Sequence, residues 1–393
     1  MRIVHVITRM IVGGAQEIVL LCCEGLRARG HDITLITGPP IGPEGSLMDR
    51  ALAGGYPVEV IDEMRRAILP AKDCHSYELL VQRLKNLRPD IVHTHSSKAG
   101  IIGRWAAARA GDAAIVHTIH GLSFTASTSG IVNAAYKMFE RRTAGITDRI
   151  ICVADAMRQQ SLSARIGRPE QYVTVYNGIK TEPFLHSPLP PEQLRKQFGL
   201  APEHIVVGTI ARLFHLKGHE DLLDIAPALC AKFPHLRFLW VGDGLLRPAF
   251  ERIILQKNLR DRFILTGLVS PARIPELTHA MDILAHPSRR EGLALALAQA
   301  SLAGKPVVTY NIPGAGEAAI DGKTGFLPPP FDKEKFSQAI AVLAADPGRR
   351  QTMGAAGRAF ALQRFDAQVM VRSLQQVYEA ALAQRRRNRT AVD

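Results

Sequence analysis

The feature that most constrains this chain is a rhythm of short β-branched runs alternating with helical stretches, which stops at a proline-rich connector and then starts again. In the first half, strands are expected at Ile3–Thr8, Asp32–Thr37, Asp90–Thr94, Ile115–Thr118, Arg149–Val153 and Val173–Tyr176, with a glycine-opened helix over Gly13–Arg29. In the second half they recur at Ile205–Ile210, Leu236–Val241, Phe263–Thr266, Ile283–Ala285 and Val307–Thr309. Strands that alternate with helices build parallel sheets whose faces the crossover helices cover. The two halves repeat an architecture without repeating a sequence.

The interruption locates a boundary. Asn177-Gly178 is a turn pair, and Ser187-Pro188-Leu189-Pro190-Pro191 cannot continue a helix or a central strand. A hinge near Pro183 divides the chain into domains 1–183 and 184–365. A last helical pattern, Ala367 to Ala383, follows Asp366 as a candidate N-cap and leaves 366–393 as a terminal helix with a basic tail. At 393 residues the chain is too long for one ordinary core and long enough for two.

Composition narrows the class. With 47% hydrophobic residues and no apolar run near the roughly 18 residues that span a bilayer, the chain reads as a globular protein free of membrane spans. The apolar start is broken by Arg9 and by Gly13-Gly14, so it reads as a first strand and turn and not as a signal peptide. Five cysteines, none in C-x-x-C spacing, suit reduced thiols in the cytoplasm and argue against a zinc site. The net charge of +13 is spread over both halves, apart from the Arg385–Arg389 run. Such a spread favours anionic small molecules and an anionic membrane face. No helix-turn-helix, zinc-finger or RNA-binding aromatic pattern is present, so nucleic acid is not an expected partner. The tail is either a solvated terminus or a contact with the inner face of the plasma membrane.

Two segments carry the chemistry. The strand ending at Ile210 is followed by Arg212-Leu-Phe-His-Leu-Lys217, which puts two cations in the loop before the next helix, where they suit a diphosphate. Further on, Glu291-Gly292 is expected at the opening of another helix, whose free N–H groups and positive dipole end attract phosphate oxygens. The plainer alternatives are a solvated cation pair and a helix-capping carboxylate. No Asp-x-Asp occurs in the chain, so the usual acidic clamp for a divalent metal lacks its ligands.

On these residues the sequence resembles the retaining glycosyltransferases of family 4, over nearly its whole length. The resemblance implies an α/β chain of GT-B architecture. Two Rossmann-like parallel-sheet domains would face each other across a cleft, and the C-terminal helix would cross back to the N-terminal, acceptor-binding domain. It implies that Arg212 and Lys217 grip the diphosphate of a nucleotide sugar, that Glu291 bonds hydroxyls of the transferred sugar, and that Gly13, Gly14, Gly292 and Leu293 also line the donor site. His120 matches the family histidine that orients that sugar. The family's second glutamate, seven residues beyond the first, is here Gln299, which offers the ribose one acceptor oxygen and a donating NH2 in place of a carboxylate.

The implied activity is a metal-independent, cofactor-free transfer of a hexosyl or N-acetylhexosaminyl group to a glycan or lipid-linked glycan, in bacterial cell-surface polysaccharide synthesis. A sugar-nucleotide epimerase and a non-catalytic nucleotide-sugar sensor are the competing readings. Within the first half, His95 and Lys98 read either as acceptor-side residues or as a surface loop, and Gly13-Gly14 either as a ligand-approach loop or as a tight turn. The histidines of His93-Thr-His95 and His117-Thr-Ile-His120 lack a nearby acidic ligand, so no metal is expected there. The helix Ile131–Thr143, with Val132, Tyr136, Phe139 and Thr143 on one face, reads as a core helix with a basic rim in preference to one resting on a membrane.

Overall fold

A computed structural model describes residues 1–390 apart from 43–44, 123, 125–128 and 188. Pro188 and the side chain of Pro191 in the expected connector, and the side chains of 388–390 in the tail, thus lie outside the described residues. The chain forms two compact units, Met1–Gly178 with Ala367–Asp393, and Ile179–Asp366.

The first unit is built on seven parallel strands: β1 (Arg2–Ile7), β2 (Asp32–Thr37), β3 (Val58–Val60), β4 (Ile91–His95), β5 (Ala114–Ile119), β6 (Arg149–Cys152) and β7 (Tyr172–Thr174). They lie in the order β3-β2-β1-β4-β5-β6-β7. The chain steps outward from β1 to β3 and returns to the other side of β1 at β4, so the topological switch lies between β1 and β4. Helices cover both faces, which is why the inner strands are buried along their length without alternation. Val4, Val6, Val92 and Ile115 pack against Leu80 and Leu84 of helix Pro70–Leu87 and against Ala99 and Ala106 of helix Ser97–Ala110.

The terminal helix, Ala367–Thr390, belongs to this first unit and runs on through the expected basic tail. Val371, Leu374, Tyr378 and Ala381 form its buried stripe. It lies close against helix Gly14–Ala28, because a Cβ at Gly25 would sit 2.5 Å from Val371 Cγ2.

The second unit carries β8 (Ile205–Ile210), β9 (Leu236–Val241), β10 (Phe263–Leu265), β11 (Ile283–His286), β12 (Val307–Thr309) and β13 (Gly325–Phe326). Their order, β10-β9-β8-β11-β12-β13, repeats the topology and puts a second switch between β8 and β11. Only the edge strands β3 and β13 were not expected; Val58-Glu59-Val60 is interrupted by a charge, and Gly325-Phe326 is too short to show a period.

Two local expectations are corrected. Helix Gly130–Ala144 is not an ordinary core helix: Glu140, Thr143 and Ala144 are buried, but Val132 and Phe139 are 43% and 46% exposed. Only its C-terminal end is drawn in, where Glu140 meets a buried arginine. The helix after Glu291 opens at Leu295 and not at Gly292. Ala294, just before it, has extended backbone (φ −72°, ψ 103°), so the helix cannot reach back to Gly292.

Candidate functional sites at the two switch points

In the second unit the loop after β8 and the loop after β11 lie side by side at the carboxyl ends of adjacent strands. Lys217 Nζ donates to Glu291 Oε1 at 2.6 Å, and His286 Nε2, at the end of β11, donates to the same oxygen at 2.9 Å. The bond to a carboxylate fixes the Nε2–H form of that imidazole. Burial alone would raise the Glu291 carboxyl, but the His286 bond and the Lys217 charge outweigh it and hold the group well below the usual carboxylate range. Glu291 is therefore an ionised acceptor, held by Lys217 and by the imidazole N–H of His286.

Backbone geometry locks the two loops together. Leu216 has φ 72°, an uncommon conformation for a branched residue, and its carbonyl takes both bonds from Ser288 and Arg289. Gly218 has φ 75°, and a Cβ there would lie 2.0 Å from Pro287 O. Buried Asp221 completes the clamp by accepting from Arg289 Nη2 at 2.9 Å and from Tyr310 Oη at 3.0 Å.

Around this pair the other expected residues fall as follows. Arg212 is exposed on the β8 loop, its guanidinium 5.9 Å from the centre of the Phe214 ring. Leu293 is buried, Gly292 half-buried, and Gln299 half-buried on helix Leu295–Leu302. The sequence reading passed over His286 and Asp221. His286 had a signal, since it ends a strand beside the one that leads to Arg212. Asp221 reads as one of several acids in a helix and has none.

In the first unit the switch point is lined by histidines. His5 of β1 stands directly across from His93 of β4 in the strand register. His5 Nδ1 lies 3.0 Å from His95 Nε2, and His95 Nδ1 lies 3.1 Å from His120 Nε2. The three rings form one hydrogen-bonded row. Its ends, His5 Nε2 and His120 Nδ1, are inaccessible to water and have no partner among the described residues. His93 stands beside the row, with Tyr378 Oη at 2.6 Å from Nδ1 and Thr118 Oγ1 at 2.7 Å from Nε2. Burial pushes His5 down to about 3 and His120 down to about 4, and holds His93, His95 and His117 well below the usual imidazole range.

Neutral imidazoles pass hydrogen bonds in one direction along such a row. If His5 donates to His95 and His95 to His120, then His120 Nδ1 carries the outward N–H; in the reverse arrangement it presents a lone pair. Nitrogens of His5, His93 and His95 also come within 4.8 Å of one another, so these three could chemically hold a metal ion. His5 was not anticipated, because the reading weighed each histidine pair within its own segment and not across paired strands.

The remaining expected residues of this unit are also placed. Gly13 precedes helix Gly14–Ala28 in extended backbone, and a Cβ there would meet only the tip of Gln16, so neither conformation nor packing demands its glycine. His95 is 1% exposed and reaches no surface directly. Lys98, in the first turn of helix Ser97–Ala110, is paired with Asp73 and bonded to Ala67 O. Among the described residues no helix is long and apolar enough to cross a membrane.

Comparison with known proteins agrees with this architecture. A family model described as Glycosyltransferase Family 4 matches residues 12–183, and one described as Glycosyl transferases group 1 matches residues 191–360. The UDP-Gal:alpha-D-GlcNAc-diphosphoundecaprenol alpha-1,3-galactosyltransferase of Escherichia coli is 30% identical over 348 residues, 88% of each chain. The capsular polysaccharide biosynthesis glycosyltransferase CapM of Staphylococcus aureus is 23% identical over 376 residues, 91% of this chain and 92% of its own. Among solved structures, Anabaena Alr3699/HepE in complex with UDP-glucose superposes with a TM-score of 0.82 at 25% identity, covering 97% of this chain and 99% of that one.

Proposed function

The chain belongs to glycosyltransferase family 4 and is a glycosyltransferase of GT-B type, and we propose that it transfers a hexosyl or N-acetylhexosaminyl group from a UDP-sugar to a lipid-linked glycan. The observation that carries this reading is the convergence of Lys217, His286 and ionised Glu291 at the switch point of the second sheet, with Arg212 on the same loop. The E. coli relative and the Anabaena complex support uridine as the base, and the E. coli relative supports a diphosphate-lipid acceptor.

In this reading the donor diphosphate displaces Glu291 as the partner of Lys217, and Arg212 supplies the second cation. The carboxylate, still oriented by His286, then accepts hydrogen bonds from sugar hydroxyls. As the anomeric carbon–oxygen bond breaks, the two cations neutralise charge growing on the leaving diphosphate, the role a metal ion plays elsewhere. The acceptor hydroxyl attacks the face the diphosphate leaves, its proton passes to a phosphate oxygen, and configuration is retained. His120, whose buried Nδ1 ends the imidazole row with no partner among the described residues, is assigned to a hydroxyl of the transferred sugar, and Gln299 to the ribose. The spread of basic charge supports work at the inner face of the plasma membrane.

Calorimetric titration with UDP-, GDP- and ADP-sugars in EDTA tests the donor half. UDP-sugar binding that persists in EDTA and is lost in Arg212→Ala and Lys217→Ala is the expected result. Binding that needs added divalent metal, or that survives both substitutions, would overturn the assignment.

A further inference from the structure

One face of the first unit carries an apolar groove that none of the residues assigned to the donor explains. Three helices wall it, each presenting one helical face: Asp73, Cys74 and Tyr77 from Pro70–Leu87, Ile101, Ile102 and Trp105 from Ser97–Ala110, and Ile131, Val132 and Phe139 from Gly130–Ala144. Its volume is about 1230 Å³, above the roughly 300–1,000 Å³ usual for compact small-molecule sites. Its walls leave large apolar side chains in water: Ile131 is 86% exposed, Ile68 73% and Trp105 41%. A contiguous patch of this kind on a folded surface marks a binding face.

The groove is polarised along a single helix. At one end stand Ser97 and Lys98, in the first turn of Ser97–Ala110, together with Arg9 and Arg66; along the same helix follow Ile101, Ile102 and Trp105. Arg9 is bonded to Ile41 O and Lys98 is balanced by Asp73, so the exposed Arg66 and the helix dipole add the remaining positive field, set against one further lining carboxylate, Glu78. Positive at one end and apolar beyond it is the complement of an anionic headgroup joined to a long hydrocarbon chain.

We propose that this groove holds one long-chain lipid phosphate, its chain along Ile101, Trp105 and Ile131 and its phosphate end at Ser97, Lys98 and Arg66. The inference rests on the acceptor reading above and adds to it the place where the lipid part of the acceptor is gripped. It also makes chain length a determinant of acceptor affinity.

The two tryptophans make the test direct. Trp105 lines the groove, whereas Trp240 is fully buried in the other unit. The full chain is titrated with ω-bromododecyl phosphate below its micelle concentration while tryptophan fluorescence is followed. Saturable quenching is expected, reversed by geranylgeranyl diphosphate but not by isopentenyl diphosphate or inorganic phosphate. Ile131→Asp, at an exposed position, should weaken binding roughly tenfold, about the effect of losing one buried aliphatic side chain. Arg66→Ala should weaken the phosphate probe severalfold and leave geranylgeraniol unaffected.

Several results would overturn the proposal. Displacement by inorganic phosphate alone would show an anion site, and quenching only by vesicles of brominated phosphatidylglycerol would show a membrane-resting face. Sedimentation as a dimer that shields Trp105 would show an interface between copies. A UDP titration run alongside separates the two readings. Lipid binding without UDP binding leaves the groove standing and sinks the donor assignment, and the reverse sinks the groove alone.

Discussion

The guanidinium of Arg104 meets the carboxylate of Glu140 at 2.7 Å, with the two side chains only 1% and 10% exposed. This pair joins helix Ser97–Ala110 to helix Gly130–Ala144, two of the three walls of the apolar groove. Arg104 also donates to Gly100 O at 2.8 Å and to Thr147 Oγ1 at 3.4 Å, so its remaining donors are largely used. Removing one partner of a buried pair leaves a charge with neither water nor counter-charge. Glu140→Ala should therefore cost about 3–5 kcal/mol, whereas Arg104→Met combined with Glu140→Leu should lie much nearer the parent. Scanning calorimetry, with the transitions of the two units resolved, measures both. A single variant as stable as the parent would show that the pair is not a strut.

The buried imidazoles predict how the first unit responds to acid. Their folded pKa values are lowered by burial, to about 3 for His5, whereas in the unfolded chain they return to about 6.5. Below roughly pH 6.5 the unfolded chain binds protons that the folded chain refuses, so stability falls as pH falls, by about 1.4 kcal/mol per pH unit for each histidine. The loss stops only when the folded groups titrate, near pH 3 for His5. The melting temperature of the first unit should drop steadily between pH 7 and pH 5, and His5→Phe should remove one proton's share of the slope. A flat profile would mean that these rings are charged or hydrated.

What was legible in the sequence follows from length and period. Strands of four to six residues such as Asp32–Thr37, Ile205–Ile210 and Leu236–Val241 announce themselves by β-branched runs between turn signals, and both parallel sheets follow from them. The Arg212–Lys217 loop was singled out as two cations following a strand, and Glu291 as a carboxylate in the family motif at an expected helix start, which lies later, at Leu295. The histidine row was missed for the complementary reason. His5 and His95 are 90 positions apart and meet only because β1 and β4 are neighbours. Likewise, nothing in the pattern of helix Gly130–Ala144 tells whether its apolar face is covered; that depends on what packs beside it.

Gly218 offers a test of the loop clamp in the second unit. Its φ of 75° disfavours any side chain, and a Cβ would press to 2.0 Å of Pro287 O, a backbone atom that cannot swing aside. Gly218→Ala must therefore separate the loop that carries Arg212 and Lys217 from the one that carries Glu291. UDP-sugar affinity should fall at least tenfold while the second unit stays folded, at a cost of about 1–3 kcal/mol for the strained residue. Calorimetric binding and unfolding of the same preparation separate the two effects. Unchanged affinity would show that the donor does not depend on the register between these loops.

Gln299 permits a test of the ribose contact that needs no turnover. A carboxylate at this position could accept from both ribose hydroxyls with charge-assisted bonds, whereas the amide has one acceptor oxygen and turns a donor toward the site. Gln299→Glu should therefore tighten UDP by about 1 kcal/mol, close to fivefold in Kd. The gain should be confined to the hydroxyls that make it: 2′-deoxy-UDP, lacking one of them, should show a smaller improvement, and inorganic pyrophosphate none. Equal tightening of all three would point to a general electrostatic change and not to the sugar. Weaker UDP binding in Gln299→Glu would mean that the amide faces a phosphate oxygen, as donor to an acceptor, and that the ribose lies elsewhere.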